Sequence, residues 1–479
     1  MRRLTTSGTM TVLGCALLAT GCATNPATGE REISLIGEGQ EVQMGKEADQ
    51  QVVASLGLYQ DEDLQAYVQA LGARLAAASE RPDLPWTFRV IDDHTVNAFA
   101  LPGGYVYVTR GILSHLRSEA ELAGVLGHEI GHITARHSVS QISKAQLTQL
   151  GVGLGMILVP ELRPFSDLAS VGMQLLFLKY GRDDEREADM LGVRYMGRLA
   201  YDAGELADVM RLLERSSEIE GGSGRVPEWL STHPDPGNRA VQIQEMVEQA
   251  GATPNAVVRR DEYLREIDGV VFGADPREGF FEENLFRHPE LAFRFTFPRG
   301  WQTVNAKQAV QGVAPDQDAA LMITLAQGSP SQAMGQFGSQ QGVQVGGASQ
   351  RTVNGLPAVL AEFAATTQEG TLRGVVLFLS HDGKTYRLLG YAPESRWARH
   401  DDVVLQSMGT FARETDSRVL NMRPDRVDIV QLPSTISFER FLQRYPSTAR
   451  PEIVALINGF NAGATLRPGT LAKRVVSGS

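Results

Sequence analysis

The sequence predicts an α+β multidomain protein: a mostly helical domain with a small β-sheet, then a small α+β domain, then a βααβ tail. Apolar residues recur at helical spacing through about residue 250, and short alternating runs bounded by turn residues dominate from about residue 286. The last segment, 426–476, begins and ends with a strand pattern. At 479 residues and 42% hydrophobic composition, the chain is long enough for about two or three domains.

The start of the chain has the features of an export signal. Two arginines precede an apolar run, 10–19, that is too short to span a membrane as a mature helix and ends at Gly21 and Cys22. This ending resembles a bacterial lipoprotein processing site. We therefore expect residues 1–21 to be a signal peptide and Cys22 to carry a lipid anchor on the periplasmic side of the outer membrane. A conventional secretory signal with a free Cys22 is the alternative.

An HExxH pattern at residues 128–132 carries most of the chemical information in the sequence. It lies in an amphipathic helical stretch, and a helix turns about 100° per residue, so His128 and His132 project from one face at the spacing of two ligands of one metal. Glu129 stands beside them as a candidate base. The glycines within this helix indicate that another backbone or a ligand approaches closely. The alternative is a core helix whose histidines only form hydrogen bonds.

A catalytic zinc keeps three protein ligands and one water position, so a third ligand must come from elsewhere in the chain. The metzincin pattern would need a histidine where Ser138 stands, and His137 lies about 140° round the helix from the second histidine. Downstream, an acidic run opens another helix, in which Glu185 and Asp189 fall on the inward stripe and Glu187 faces solvent. We therefore predict Glu185 as the third ligand and Asp189 as an acceptor that orients a ligand histidine. Alternatively, the acidic run only favours the helix N-terminus.

The two motifs together resemble the HtpX and CAAX-prenyl-protease family of gluzincins, peptidase family M forty-eight. The segment 97–104 and the His-Pro loop 231–234 resemble the same family, and the resemblance covers about residues 30–250. The resemblance is to the soluble or lipid-anchored branch of the family, because the long membrane-spanning helices of other members have no counterpart in this sequence. The resemblance implies one Zn2+ per chain, metal ligands His128, His132 and Glu185, a catalytic base Glu129, and His233 and Arg239 near the substrate or the metal.

The roles implied by this resemblance define a peptide-hydrolysing mechanism. Zinc activates a water molecule and polarises the peptide carbonyl. Glu129 would take the proton of that water and deliver it to the leaving amine. For His233 two roles stay open: it could stabilise the oxyanion, or it could occupy the water position as a latent fourth ligand.

An alternating strand pattern, 104–109, directly precedes the HExxH helix and could pair with an extended peptide. Such pairing requires little side-chain identity and suits unfolded or damaged proteins. An ordinary interior strand is the alternative. The candidate substrate-binding residues are Asn97, Ala98, Tyr105 and Tyr107.

The predicted domain boundaries follow changes in the sequence pattern. They delimit a signal peptide (1–21), a tether (22–45), the metallopeptidase domain (46–250), a linker (251–285), an accessory α+β domain (286–415) and a tail module (426–476). The accessory domain contains no metal or nucleophile pattern, so we expect it to bind, regulate or support. Its Gly/Gln-rich stretch, 335–347, is predicted to be a mobile loop.

Two other segments leave alternatives open. An apolar insertion, 147–159 and 169–178, separates the two metal helices. It is predicted to be a buried helical hairpin, or else a flexible cover over the site or an outer-membrane contact. The tail resembles a LysM module at 457–459 and 466–469. The LysM resemblance implies contact with peptidoglycan, and a structural role in docking the tail is the alternative.

Composition limits the partners. The formal net charge of −11 argues against nucleic acid and against broad electrostatic binding to anionic lipid. Cys15 and Cys22 are the sole cysteines, so a chain that begins at Cys22 has no internal disulfide. We expect a periplasmic zinc endopeptidase acting on unfolded or misassembled envelope proteins. The alternative is a non-proteolytic chaperone or wall-binding adaptor with a silent zinc site.

Overall fold

The computed structural model describes residues 22–151, 179–220, 229, 232–251, 253–367 and 370–478. The expected signal peptide and most of the apolar insertion lie outside the described residues. The chain forms two compact units: the first contains the described residues up to Gly273 together with Asp425–Ser477, and the second contains Ala274–Pro424. The α+β fold class predicted from the sequence is confirmed.

The helices of the first unit surround the one that carries HExxH. They are α1 (Glu38–Leu56), α2 (Glu62–Ala77), α3 (Arg110–His115), the HExxH helix α4 (Glu119–Thr134), α5 (His137–Gly151), α6 (Arg182–Arg198), α7 (Gly204–Glu220), α8 (Pro236–Ala250) and α9 (Arg260–Glu266). Ser118 begins α4 as its N-cap, because its hydroxyl accepts the Glu121 N–H at 3.1 Å. Every residue of α4 is buried, so this helix is the centre of the core of the first unit.

Glycines allow α4 and α6 to approach backbone to backbone. A Cβ atom at Gly127 would lie 3.3 Å from the Cα of Gly192, and one at Gly131 would lie 3.0 Å from the Cα of Ala188. Larger side chains would separate the two helices. The close approach that the glycines predicted is therefore a contact between helices, and it brings the first turn of α6 beside the two histidines.

The strands of the first unit that precede α4 form a hairpin and a three-stranded sheet. They are β1 (Cys22–Thr24), β2 (Arg31–Ile33), β3 (Thr87–Ile91), β4 (Ala98–Leu101) and β5 (Tyr105–Thr109). β1 pairs with β2, whereas β5 lies between a parallel β3 and an antiparallel β4. The far edge of β3 is also covered, since the Tyr59 N–H donates to the Val90 carbonyl at 3.0 Å. In the described part of the chain no strand pairs with the outer edge of β4, which packs against α4.

The second unit is mainly antiparallel sheet. Its strands are β6 (Phe280–Glu282), β7 (Leu285–His288), β8 (Phe293–Thr296), β9 (Gln302–Ala306), β10 (Ala309–Val313), β11 (Ala320–Ala326), β12 (Val343–Val345), β13 (Ser349–Val353), β14 (Leu356–Thr367), β15 (Gly370–His381), β16 (Lys384–Pro393) and β17 (Ala412–Arg413), and its helices are α10 (Pro330–Gly338), α11 (Glu394–Trp397), α12 (Asp401–Met408) and α13 (Ser417–Leu420). One sheet has the order β12-β14-β15-β16-β11-β10-β9, with β13 also paired to β14, and the other has the order β17-β8-β7-β6.

The prediction of a mobile loop at 335–347 is wrong. The Gly/Gln-rich stretch forms the end of α10 and the strand β12, which pairs with β14. Met334 and Phe337 are buried against the sheet. This apolar burial stabilises the helix despite the weak helix propensity of its glycines.

The tail belongs to the first unit and keeps the predicted order of strand, helix, helix and strand. Its elements are β18 (Asp425–Gln431), β19 (Ile436–Ser437), α14 (Phe438–Arg444), α15 (Pro451–Asn458), β20 (Thr465–Leu466) and β21 (Leu471–Ser477), with β18 antiparallel to β21. The Gly269 N–H donates to the Val427 carbonyl at 2.8 Å, so the tail is hydrogen-bonded to the segment after α9. The LysM assignment stays a prediction.

A buried lysine joins the tail to α3. Lys473 is fully buried, and its Nζ donates to the carbonyls of Ser114 at 2.9 Å, His115 at 3.3 Å and Leu116. These carbonyls end α3, and burial lowers the pKa of Lys473 well below its usual value.

No helix among the described residues combines the length and the apolar content that a membrane crossing requires.

We expect Lys473→Met to destabilise the first unit by on the order of 2–4 kcal/mol, because it leaves three buried carbonyls without their donor. Chemical denaturation followed by circular dichroism measures the change. Lys46→Met is the matched control, since Lys46 is exposed on α1. Equal unfolding midpoints for the two variants would contradict the prediction.

Candidate metal centre

Four buried side chains from three parts of the first unit converge on one point. Donor atoms of His128, His132, Glu185 and His233 all lie within 4.8 Å of one another. The Nε2 atoms of the two helix histidines are 3.1 Å apart, and the Glu185 carboxylate lies 3.7 Å from the first and 3.6 Å from the second. The structure thus brings the predicted ligand set together with His233.

The outer nitrogen of His128 is held by a carboxylate, as predicted for Asp189. His128 Nδ1 lies 2.9 Å from Asp189 Oδ1. Arg239 binds the same carboxylate with Nε at 2.8 Å and Nη2 at 2.6 Å, and its Nη1 lies 2.5 Å from Glu185 Oε2. Because Nδ1 of His128 contacts Asp189, its Nε2 faces the cluster and is free to bind a metal. A ligand histidine needs this orientation.

Glu129 is a buried carboxylate without a hydrogen-bond partner. Both of its oxygens are inaccessible, and no described residue donates to them. His233 Nε2 is 3.7 Å from Glu129 Oε1, beyond hydrogen-bond distance. A buried carboxylate normally finds a donor, so these atoms indicate a position for a polar group that the protein itself does not supply.

The protonation states of the donors fit a cation. Burial and the neighbouring His128 lower the pKa of His132 well below its usual value, which keeps the imidazole neutral. Burial raises the pKa of Glu185, but His233 and Arg239 outweigh burial and hold that pKa below its usual range. Neutral imidazole and ionised carboxylate are the forms that bind a metal. Two histidines and one glutamate in a buried site are a donor set of catalytic zinc, so the residues fit one Zn2+.

The pKa values of the other buried groups shift in different directions. Burial raises the pKa of Glu129, which favours proton uptake by that carboxylate. Although burial opposes ionisation of Asp189, Arg239 holds its pKa at about 2, so it stays an anion that can accept from His128. Burial lowers the pKa of His233, yet Glu185 and Glu129 outweigh burial and raise it.

The sequence analysis missed two aromatic walls of this site. The Tyr180 ring stacks on His132 with centroids 3.9 Å apart, and its hydroxyl lies 2.7 Å from the Ser138 hydroxyl. The Trp229 ring stacks on His233 at 4.3 Å. Neither residue belongs to a periodic pattern or a motif, so no signal in this single sequence could have identified them.

The expectation that Glu187 faces solvent is wrong. Its side chain is 21% exposed and lies 3.4 Å from Nε2 of His137, which is itself buried. The helical spacing excludes His137 as a ligand of the metzincin pattern but does not show what else it contacts. The structure places it 2.9 Å from Nδ1 of His132, on the side away from the other donors.

The structure corrects the expected role of β5. Its two edges pair with β3 and β4, so it is the interior strand that the sequence left as an alternative and it cannot pair with a peptide. The Tyr107 hydroxyl donates to Asp49 at 2.8 Å, and its ring is fully buried. Tyr105 is also buried, in a cluster with residues of α1. The expectation failed because strand order depends on tertiary pairing.

Asn97 and Ala98 lie beside the free edge of the sheet instead. Ala98 begins β4, and the Asn97 side chain is buried with an amide oxygen that no described residue contacts by a hydrogen bond. They keep their candidate role in substrate binding. Cys22 begins β1, and its expected lipidation stays a prediction.

An HExxH helix joined at close range by a carboxylate from a following helix defines the gluzincin class of metallopeptidase fold. Residues 62–247 match the family model described as Peptidase family M48. The chain belongs to this family.

The curated relatives agree with this assignment. The beta-barrel assembly-enhancing protease of Escherichia coli is 32% identical over 243 residues, which cover 47% of this chain and 49% of that protein. The mitochondrial metalloendopeptidase OMA1 of Schizosaccharomyces pombe is 33% identical over 242 residues, which cover 49% of this chain and 68% of that protein. The chain therefore spans about half the length of the first of these relatives and about two thirds of the second.

We expect Asp189→Asn to weaken zinc binding about tenfold to a hundredfold, because the amide no longer fixes His128 and Arg239 then competes more strongly for Glu185. Competition with a chromophoric chelator measures the dissociation constant. Asp183→Asn removes the same charge from an exposed position in the first turn of α6 and serves as the control. The prediction fails if both variants bind zinc as the unaltered protein does.

Proposed function

We propose that this protein is a zinc-dependent endopeptidase that hydrolyses unfolded or misassembled envelope proteins in the periplasm. The observation that carries the proposal is the partnerless buried carboxylate of Glu129 beside the donors of His128, His132 and Glu185. A silent zinc site would have no use for a base buried at that cost.

Each side chain has a role in the proposed hydrolysis. Zinc, when bound, acts as a Lewis acid on water and on the peptide carbonyl. Glu129, whose pKa burial raises, accepts the water proton and returns it to the leaving nitrogen. Asp189 keeps the Nδ1 proton of His128 in place, and Arg239 keeps Asp189 ionised. The walls formed by Tyr180 and Trp229 exclude water from the imidazoles that they cover.

The free edge of β4 is the proposed substrate strand. It packs against α4, and within the described residues its outer edge makes no strand pairing. An extended peptide could add there through main-chain hydrogen bonds, with Asn97 and Ala98 at one end of the edge. Main-chain pairing needs no defined side-chain sequence, which supports an unfolded polypeptide as the substrate.

Location and partners rest on the N-terminus and on the relatives. Cys22 would carry the lipid that anchors the chain to the outer membrane. The Escherichia coli relative is named for enhancing β-barrel assembly, which supports misassembled envelope proteins as the substrate class. Peptidoglycan is the partner proposed for the tail, on its LysM-like pattern alone.

His233 lies at the fourth donor position rather than at an oxyanion-stabilising one, although metal binding there requires it to lose the proton that Glu185 and Glu129 favour. Its Nδ1 lies 2.9 Å from Glu185 Oε1 and 3.4 Å from His128 Nε2, among the other donors. An imidazole held there would occupy the position that the attacking water needs.

The first test is Glu129→Gln, which keeps the shape of the side chain but removes the base. We expect zinc content to stay the same and casein cleavage to fall roughly 10²–10⁴-fold. His128→Ala should lose both the bound zinc and the cleavage of casein. A chelator should abolish cleavage by the unaltered protein, and added zinc should restore it. Glu245→Gln, exposed on α8, is the matched control. Full cleavage by the Glu129 variant would eliminate this function and favour the chaperone or adaptor.

The second test is His233→Ala, which opens the fourth donor position. We expect the turnover number for casein to rise at least several-fold while zinc is retained. A fall of similar size would assign His233 to the oxyanion instead. An unchanged rate would remove it from the site.

A further inference from the structure

The geometry points to a positioning chain of His137, Glu187 and Asn25 that orients the second ligand histidine, His132, and makes the N-terminal hairpin part of the metal site. This inference rests on the proposed zinc site. His137, Glu187 and Asn25 do not contact the ligand nitrogens that face the cluster, and none of them belongs to the HExxH motif.

The first link joins two histidines. His132 Nε2 faces the cluster, and its Nδ1 lies 2.9 Å from Nδ1 of His137. When Nε2 binds a metal, the single proton of a neutral imidazole is on Nδ1, so His132 donates to His137. Nδ1 of His137 must then be an acceptor, and its own proton is on Nε2.

The second link joins His137 to a carboxylate. His137 Nε2 lies 3.4 Å from Glu187 Oε2 and 4.0 Å from Asp184 Oδ1, so Glu187 is the nearer acceptor. Arg136, between α4 and α5, has φ of 59°, and this left-handed residue turns the chain so that His137 folds back towards His132. The proton positions along the chain are therefore consistent, with each donor facing an acceptor.

The third link comes from the N-terminus. The Asn25 amide donates to Glu187 Oε1 at 2.8 Å, and its carbonyl oxygen accepts the Ala27 N–H at 2.8 Å and the Thr28 N–H at 3.3 Å. Asn25 is 2% exposed and stands in the turn between β1 and β2. Its amide is thus fixed by the hairpin turn, and it presents its donor to Glu187.

The two ligand histidines are supported from different parts of the chain. His128 is oriented by Asp189 and Arg239, which come from the helices that form the core. His132 is oriented through residues that end at the hairpin, three residues after the predicted lipid attachment site. The segment expected to be a plain tether therefore contributes directly to the geometry of the centre.

The deciding variant is Asn25→Asp in the full chain. Asp keeps the oxygen that accepts from Ala27 and Thr28, so the turn is preserved, but it places a second carboxylate against Glu187. We expect the zinc dissociation constant to rise about tenfold or more. Asn255→Asp adds the same charge at an exposed position and should leave it unchanged.

A second pair of variants tests the carboxylate. Glu187→Gln keeps one acceptor oxygen in an isosteric side chain, whereas Glu187→Ala keeps none, so Gln should retain more zinc affinity than Ala. The visible spectrum of the cobalt-substituted protein should also change in Ala and in Asn25→Asp, because it reports ligand geometry directly. A purely structural role would change stability without this order of affinities.

Failure of the positioning role and failure of the proposed zinc site give different results. Unchanged zinc affinity and cobalt spectra in Asn25→Asp and Glu187→Ala would overturn the positioning chain. If Asn25→Asp does not fold, the order of zinc affinities in Glu187→Gln and Glu187→Ala decides: equal affinities in these two variants would overturn the inference. An unaltered protein that binds no zinc would instead contradict the proposed function.

Discussion

The contact between α4 and α6 is the constraint on which the centre depends. Gly127 and Gly131 face Gly192 and Ala188 so closely that a methyl group at either glycine would contact the opposite backbone at about 3 Å. This distance lets the short side chain of Glu185 reach two histidines on the neighbouring helix. Each glycine costs about 1 kcal/mol of helix stability relative to alanine. The cost is offset by burial, since all of α4 lies in the core.

Burying so many ionisable groups creates the second constraint. A charge in the interior is unfavourable unless it is paired, and here Arg239 pairs with both Asp189 and Glu185. Glu129 accepts no hydrogen bond from the described residues, and although His233 lies 3.7 Å away, burial raises the Glu129 pKa. The same core therefore favours the charged form of Asp189 and the protonated form of Glu129, so one environment gives two carboxylates different acidities.

What the sequence predicted and what it missed differ in their physical origin. Helical periodicity is local, so the spacing of His128 and His132 and the inward position of Glu185 could be predicted. The order of strands in a sheet is not local, so spacing alone left open whether β5 is an edge or the interior strand that the structure shows. Tyr180 and Trp229 reach the histidines from segments whose placement only the tertiary fold determines. Glu187 was assigned to solvent because its partners, His137 and Asn25, come from other segments.

The tail has a structural connection to the same core. The short helix α3 links β5 to α4, and the carbonyls at its end have no partners within the helix. Lys473, on β21, donates to three of these carbonyls. The tail therefore supplies hydrogen-bond donors where the chain passes from the sheet to the HExxH helix. Undocking the tail would leave these buried carbonyls without their donor, which outweighs the cost of desolvating the lysine. The tail therefore contributes to the stability of the metallopeptidase core whether or not it also binds glycan.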